Sequence, residues 1–180
     1  MMNFHKFFLC FVVIFCMAGM PVPAHAEVKM GVVDVEILLN QSKAGKSVQE
    51  QLKSKRDQFQ KEFADKEKNL REDEKKLIEK KDKISADEFA AERKKFEEKL
   101  LETRKLLQTR KASLDKGLSS AMQELRENIM AVTADIAEKE KYQLILNRDS
   151  IVIVEKSMDI TQSVLSKLDA KVSSIKLKVE

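Results

Sequence analysis

The sequence contains only two cysteines and two histidines, and all four lie within its first 26 residues, as Cys10, Cys16, His5 and His25. Once that segment is removed, the chain has no disulfide, no thiol nucleophile and no thiolate metal site. It also lacks histidine, the usual general base and metal ligand. These absences argue against an enzyme. We predict no catalytic residue, no cofactor and no metal site.

Glycine and proline are also scarce. Between residues 46 and 140 there is one glycine, Gly117, and no proline, while Lys, Glu, Gln and Leu are abundant. Residues that break helices are therefore nearly absent from about half of the chain. This composition predicts two long helices, interrupted once near residues 84–87.

The N-terminal segment has the features of a secretory signal peptide. Lys6 precedes an apolar run over residues 7–20, and Ala24 and Ala26 end the segment in a small-x-small pattern. The run is shorter than the roughly 20 residues that a membrane helix needs. We expect cleavage before Glu27 and export, rather than an uncleaved anchor. Phe15 stands before Cys16, where lipidation would require a small residue.

Charge is unevenly distributed in the predicted mature chain. Removing Lys6 with the signal leaves 33 basic and 30 acidic residues, a net charge of +3. Residues 43–111 contain 22 basic and 16 acidic residues, or +6, and the remainder carries −3. Such asymmetry directs charged partners to one part of a molecule.

The two ends of the mature chain predict a small β-rich body made of residues 27–42 and 141–180. Residues 28–35, 142–146 and 151–154 are rich in β-branched and aliphatic side chains and are expected to form strands. A turn of helix is expected at 36–39, and a final helix capped by Asp159 carries Ile160, Val164 and Leu168 on one face. Residues 173–180 fit either a strand or a frayed end.

The middle of the chain, residues 43–140, predicts an antiparallel helical hairpin. Ser42 is a suitable N-cap for a first helix over residues 44–83, and Ser85 with Glu88 forms a capping box before a second helix that ends near residue 140. The tip is expected near residues 84–88. Apolar residues recur every seven positions, but Arg56 and Lys66 interrupt them, so the seam is expected to be weak.

The apolar stripe thickens toward the base of the second helix, over residues 114–140. Its three-four spacing predicts a densely packed base, in contrast to a sparsely apolar tip. Because three short strands would leave open edges, self-association of the body is expected. The candidate residues of the oligomer core are Leu118, Met122, Leu125, Ile129 and Val132.

The chain resembles the Skp family of periplasmic chaperones, also called OmpH-like proteins. The resemblance is carried by Lys29-Met30-Gly31-Val32-Val33-Asp34-Val35, Leu38-Leu39-Asn40 and Ser42-Lys43-Ala44-Gly45-Lys46 at the start, and by Tyr142-Gln143-Leu144-Ile145-Leu146 and Met158-Asp159-Ile160-Thr161-Gln162-Ser163-Val164-Leu165 at the end. It spans about residues 28–169. The segment after residue 170 departs from the usual end of the family.

The resemblance implies a mostly helical α+β fold that assembles as a homotrimer, with helical tentacles around a cavity. It implies an ATP-independent holdase in the periplasm, whose clients are unfolded outer-membrane β-barrel proteins. Anionic lipid or lipopolysaccharide is a further candidate partner, without assignment to named positions. The candidate client contacts are Phe59, Phe63, Lys75, Lys76, Lys80, Lys81, Phe89 and Phe96.

Two other functions remain open at this stage. A structural coiled coil of the cell envelope would explain the helices equally well, but it would have no affinity for unfolded chains. A nucleic-acid binder would account for the basic hairpin, but an exported protein rarely meets nucleic acid, and the lysines are interleaved with glutamates. We therefore expect no physiological nucleic-acid partner.

Overall fold

The computed structural model describes residues 28–179. In chain order the elements are β1 (Met30–Val33), α1 (Val35–Gln41), α2 (Lys43–Lys80), α3 (Ala86–Glu140), β2 (Leu144–Asn147) and α4 (Thr161–Lys171). Two single-turn 3-10 helices, Arg148–Ser150 and Lys156–Met158, lie between β2 and α4. The predicted signal peptide, residues 1–26, and its cleavage before Glu27 lie outside the described residues.

The described residues contain one sheet of two strands. β1 pairs in parallel with β2, Met30 lying opposite Leu144 and Val33 opposite Asn147. The predicted third strand at residues 151–154 is wrong, because Val152 and Ile153 lie in an irregular segment and are 94% and 87% exposed. A strand requires a neighbouring backbone to pair with, and the single chain offers this segment none.

Side-chain caps begin the first two helices. The backbone N–H of Ile37 donates to Asp34 Oδ1 over 2.8 Å, and the N–H of Gly45 donates to Ser42 Oγ over 3.0 Å, so the predicted N-cap at Ser42 is confirmed. The chain bends sharply between the two helices. A Cβ on Gly45 would collide with the carbonyl oxygen of Leu39, so this position requires glycine.

The hairpin consists of α2 and α3, of 38 and 55 residues. At a rise of 1.5 Å per residue, they are about 57 Å and about 82 Å long. α2 ends at Lys80, three residues before the predicted end. The chain then reverses over residues 81–85, and the predicted capping box between Ser85 and Glu88 is confirmed. α3 ends at Glu140 as predicted, and Lys141 follows in a left-handed conformation with φ 59°.

The core lies where the base of α3 meets α1 and α4. Leu125, Ile129 and Val132 on α3 are buried together with Leu38 on α1 and Val164 on α4. The densely apolar base predicted from the sequence is therefore confirmed.

The rest of the hairpin has no comparable core. Every residue from 49 to 113 is half-buried or exposed. This agrees with the weak seam predicted from the interrupted heptads. Long helices without tertiary burial gain little stability beyond their own hydrogen bonds, so the distal hairpin is the least stable part of the described chain.

The final helix and the residues after it differ from the prediction in two respects. The N-cap position of α4 is Ile160 rather than Asp159, although Asp159 Oδ1 still accepts a hydrogen bond from the N–H of Thr161 over 2.9 Å. Ile160, Val164 and Leu168 are buried along one face, as predicted. Residues 173–179 form neither a strand nor a frayed end. They run in an extended conformation with Ile175 and Leu177 buried.

We expect amide hydrogen exchange to separate the two parts of the hairpin. Exchange should be fast at residues 76–97, where no side chain is buried, and slow at residues 118–136, where the core protects the helix. Hydrogen exchange followed by mass spectrometry measures this directly. Uniformly slow exchange along both helices would indicate a rigid spacer and would contradict the prediction.

Candidate functional site

The aromatic residues of the distal hairpin lie along its seam. The side chains share one property: each is half-buried and keeps part of its surface in contact with solvent, as is the case for Phe59, Phe63, Phe89 and Phe96. Phe59 also lies beneath the guanidinium of Arg110, whose Cζ is 5.1 Å from the ring centroid. These four rings are the predicted apolar contacts. None of them is fully buried, and Phe59 packs against the edge of the core.

Two crevices open between α2 and α3. One of about 500 Å³ is lined by residues that include Lys66, Leu70 and Leu106, and one of about 200 Å³ nearer the tip is lined by residues that include Leu77 and Phe96. Asp73 and Lys99 line both crevices. The helices are therefore bridged by polar side chains, with space on either side of the bridge.

Ion pairs connect the two helices across this seam. Lys99 Nζ lies 2.7 Å from Asp73 Oδ2, and Lys80 Nζ lies 2.9 Å from Glu92 Oε2. Nearer the base, the Nε of Arg110 lies 3.7 Å from a carboxylate oxygen of Glu62 and has no hydrogen-bond partner among the described residues. The Lys99–Asp73 and Lys80–Glu92 pairs are partly exposed to solvent, so each contributes little and weakens in salt; they favour the closed hairpin without locking it.

The hydrogen bonds of these ion pairs, and those of the cap at the tip, also shift the pKa values of the side chains involved. The hydrogen bond from Lys99 holds the pKa of Asp73 below its ordinary value of 3.8, and the same hydrogen bond raises the pKa of Lys99 above 10.5. Hydrogen bonds from Lys80 and then Lys95 hold the pKa of Glu92 below 4.5. At the tip, the backbone N–H and then the hydroxyl of Ser85 lower the pKa of Glu88.

The four predicted lysines do not form one patch. All are exposed, but Lys76 and Lys80 line the crevice between the helices, while Lys75 lies beside Glu67 and Arg71 on another face of α2. Lys81 is the C-cap residue of α2. Positive charge therefore surrounds the end of the hairpin, and no single face of it is a dedicated anion site.

The predicted oligomer-core residues have more than one environment. Leu125, Ile129 and Val132 are buried within the single chain, whereas Leu118 and Met122 are half-buried at the edge of its core. Gly117 and Ala121 take the buried positions beside them on α3. A role for these five residues in an assembly stays a prediction, because the burial of the first three requires no second chain.

An apolar surface on the body was not recognised as a surface from the sequence. A groove of about 470 Å³ is lined by residues that include Val35, Met130, Tyr142 and Leu144, and Met130 is 72% exposed. The exposed pair Val152 and Ile153 follows β2 closely in the chain. A signal was present in the sequence: residues 151–154 are four consecutive β-branched residues, which favour burial, yet the single chain leaves the middle two almost fully exposed.

Within residues 28–179 no helix combines the length and apolarity needed to cross a membrane. The same residues contain no group of three or more His, Cys, Asp or Glu side chains placed to hold a metal ion. What the hairpin offers chemically is a set of half-buried rings, crevices and lysines, which suits many weak contacts with a flexible chain.

We expect the distal hairpin to loosen in acid. The pKa values of Asp73 and Glu92 are depressed in the folded state, so their ion pairs stabilise the closed hairpin above pH 3.8 and 4.5, and this contribution is lost as pH falls below these values. Spin labels on an Ile78→Cys/Ala91→Cys variant of residues 27–180, which contain no other cysteine, would measure the interhelical distance. Its distribution should broaden between pH 7 and pH 3.

Matched variants identify the carboxylates responsible. Asp73→Asn/Glu92→Gln should broaden the distribution already at pH 7. Glu67→Gln/Glu97→Gln removes as many charges from pairs within one helix, Arg71–Glu67 and Arg93–Glu97, and should retain the acid response. An equal width at both pH values in the unaltered hairpin would rule out this role for the ion pairs.

Comparison with known proteins places the fold in context. A crystal structure of a Caulobacter crescentus CB15 protein, itself only provisionally assigned as an outer membrane chaperone (OmpH-like), superposes with a TM-score of 0.80. The two sequences are 20% identical, and the match covers 91% of this chain and 96% of that one. At this identity the likeness concerns the fold.

No curated protein sequence shows significant similarity to the chain. The family model described as outer membrane protein (OmpH-like) matches residues 29–168, which include β1, the whole hairpin, β2 and most of α4. That match agrees with the resemblance seen in the first strand and the last helix. The chain belongs to the OmpH-like family.

Proposed function

We propose that this protein is an ATP-independent holdase of the periplasm that keeps unfolded outer-membrane β-barrel proteins from aggregating. The observation that carries the proposal is the contrast within one hairpin. Its base is fixed by a buried core, while 65 consecutive residues, 49–113, have no buried side chain yet present half-buried aromatic rings. A surface of this kind can contact an unfolded chain without first losing a core of its own.

The chemistry of the clients fits the surface. Strands of outer-membrane barrels alternate apolar and polar residues and aggregate in water when unpaired. The seam offers rings for the apolar residues and lysines for acidic ones. Because each contact is weak and partly solvated, a client would stay mobile and leave when its own folding offers a better partner. Anionic lipid or lipopolysaccharide is a further candidate partner, without assignment to named positions.

We propose further that the body assembles a homotrimer. Val152 and Ile153 are almost fully exposed, and the groove beside Met130 and Leu144 is apolar and open. A second copy would supply the partner backbone that residues 151–154 lack, and it would cover exposed apolar surface. Leu125 and Ile129 are unsuitable for testing this interface, because a charge at either position would disrupt the core of the single chain.

We expect Val152→Asp/Ile153→Asp to dissociate the assembly into folded monomers, because two charges cannot be buried unpaired in an interface. Light scattering gives the mass, and circular dichroism should show unchanged helicity. Ser150→Asp/Ser157→Asp adds the same charges at exposed positions flanking the segment and should remain trimeric. An unaltered protein that is monomeric at micromolar concentration would refute the trimer.

We expect the hairpin to suppress the aggregation of an unfolded acidic barrel protein diluted from urea, without ATP, and to do so less well as salt rises. Screening shortens from about 8 Å at physiological salt to about 3 Å at 1 M. Replacing Lys75, Lys76, Lys80 and Lys81 with Gln should weaken capture several-fold without loss of the trimer. Apolar contact with the four Phe rings should leave a residual affinity.

The matched control replaces four exposed lysines outside the tip, Lys116, Lys139, Lys141 and Lys156, with Gln. It should retain capture if the lysines at the tip of the hairpin steer the client. Affinity that ignores both salt and the tip substitutions would exclude charge as the steering force. No suppression of aggregation under any condition would instead favour the structural coiled coil.

A further inference from the structure

The C-terminal segment of the chain lies in a groove at the base of the hairpin. Residues 172–179 follow α4 and run beyond residue 168, where the match to the family ends. Ile175 and Leu177 are 2% and 5% exposed, while Lys176 and Lys178 between and after them are exposed. The segment thus presents alternate side chains to the hairpin, as a strand does to a sheet.

One side chain of α2 binds the backbone of this segment. Gln51 Nε2 donates to the carbonyl oxygen of Ile175 over 2.7 Å, and Gln51 Oε1 accepts from the N–H of Leu177 over 3.0 Å. These two groups flank Lys176, so the amide of Gln51 makes the pair of hydrogen bonds that a residue of a neighbouring parallel strand would make. This contact recognises an extended backbone and is indifferent to its side chains.

The opposite wall of the groove requires a glycine. A Cβ on Gly117 of α3 would collide with the carbonyl oxygen of Lys178. Glycine is disfavoured inside a helix, and Gly117 is the single glycine of α3. The position of Gly117 beneath the extended backbone of the C-terminal segment explains why a glycine occurs inside this helix. We call the site between Gln51 and Gly117 the tail groove.

The segment is held by few interactions. The buried side chains of Ile175 and Leu177, the half-buried Val172 and Val179 at the edge of the core, and the two hydrogen bonds to Gln51 stabilise the bound segment. They oppose the entropy of ordering about eight residues, and the opposing contributions are of similar size. A segment in this balance can leave its groove and return. What it leaves behind is a site for an extended backbone with apolar residues at alternate positions, which is the pattern of an outer-membrane strand.

We propose that the tail groove is a binding site for extended peptides, occupied in cis by residues 173–179, and that an unfolded chain with alternating apolar residues displaces this segment. The identity of the displacing chain rests on the proposed holdase function. The groove places such a strand at the base of the hairpin, where α2 and α3 are fixed by the core. The chain's own tail therefore competes with clients for one ordered contact.

The probe is a fluorescein-labelled peptide with the sequence of residues 173–180, followed by fluorescence anisotropy with the full mature chain. An Ile175→Ser/Leu177→Ser variant releases the tail and should bind the peptide at least tenfold more tightly than the unaltered protein. Lys176→Ser/Lys178→Ser changes exposed positions of the same segment and should bind as weakly as the unaltered protein. A peptide with its apolar residues grouped together should not bind.

Gly117→Ala tests the geometry. Added to the tail-released variant, it should abolish peptide binding, while helicity by circular dichroism is retained or increased because alanine favours a helix. The proposal is overturned if the tail-released variant fails to bind the peptide, or if it loses helicity, since the tail would then be a fixed part of the core. Aggregation assays on the unaltered protein test the holdase function separately: client capture without peptide binding overturns the tail groove alone, and peptide binding without client capture overturns the holdase alone.

Discussion

The burial of one stripe on α3 holds the described chain together. Leu125, Ile129 and Val132 pack against α1 and α4, and α1 in turn leads through Ser42 into α2. Both arms of the hairpin are therefore oriented by a core located at one end of them. No comparable buried core lies along the distal part of the hairpin, so the orientation of the distal arms depends on helix stiffness and a few ion pairs. Stability and exposed surface occupy separate regions of the same two helices.

This separation bears on a conflict that the proposed holdase function would create. A surface apolar enough to contact unfolded chains tends to collapse on itself or to aggregate. Here the rings of Phe63 and Phe96 are half-buried in a seam whose polar positions carry charges such as Asp73 and Lys99. The charges keep the seam hydrated and soluble, and the rings remain within reach. If the buried core extended farther along the hairpin, it would cover these rings and remove the exposed surface that they form.

Local signals in the sequence predicted most of the fold. The caps at Ser42 and Ser85, the end of α3 and the apolar face of α4 all follow from spacing and side-chain chemistry within a few residues. The failures concern contacts between distant positions. Residues 151–154 have strand propensity but no partner in one chain. The tail is placed by Gln51 and Gly117, which are far from it in sequence and belong to different helices.

The candidate site shows the same limit. Heptad spacing indicated a weak seam, but closeness in sequence did not show that Lys75, Lys76, Lys80 and Lys81 lie apart in the structure. Helical geometry turns them toward different faces. The sequence pattern also did not indicate that Met130 and Leu144 border an open groove, because the exposure of a residue depends on which surfaces the rest of the chain leaves uncovered.

The turn at the far end of the hairpin has a mechanical consequence. The chain itself joins the arms at the reversal, where Ser85 and Glu88 cap the start of α3, and the core joins them at the opposite end. The two arms are thus joined independently at both ends, with the crevices between them. When the ion pairs in the middle of the hairpin break, the two helices remain joined at both ends and do not separate from one end. The arms can then separate only by bowing outward in the middle, which limits how far the crevices between them can open.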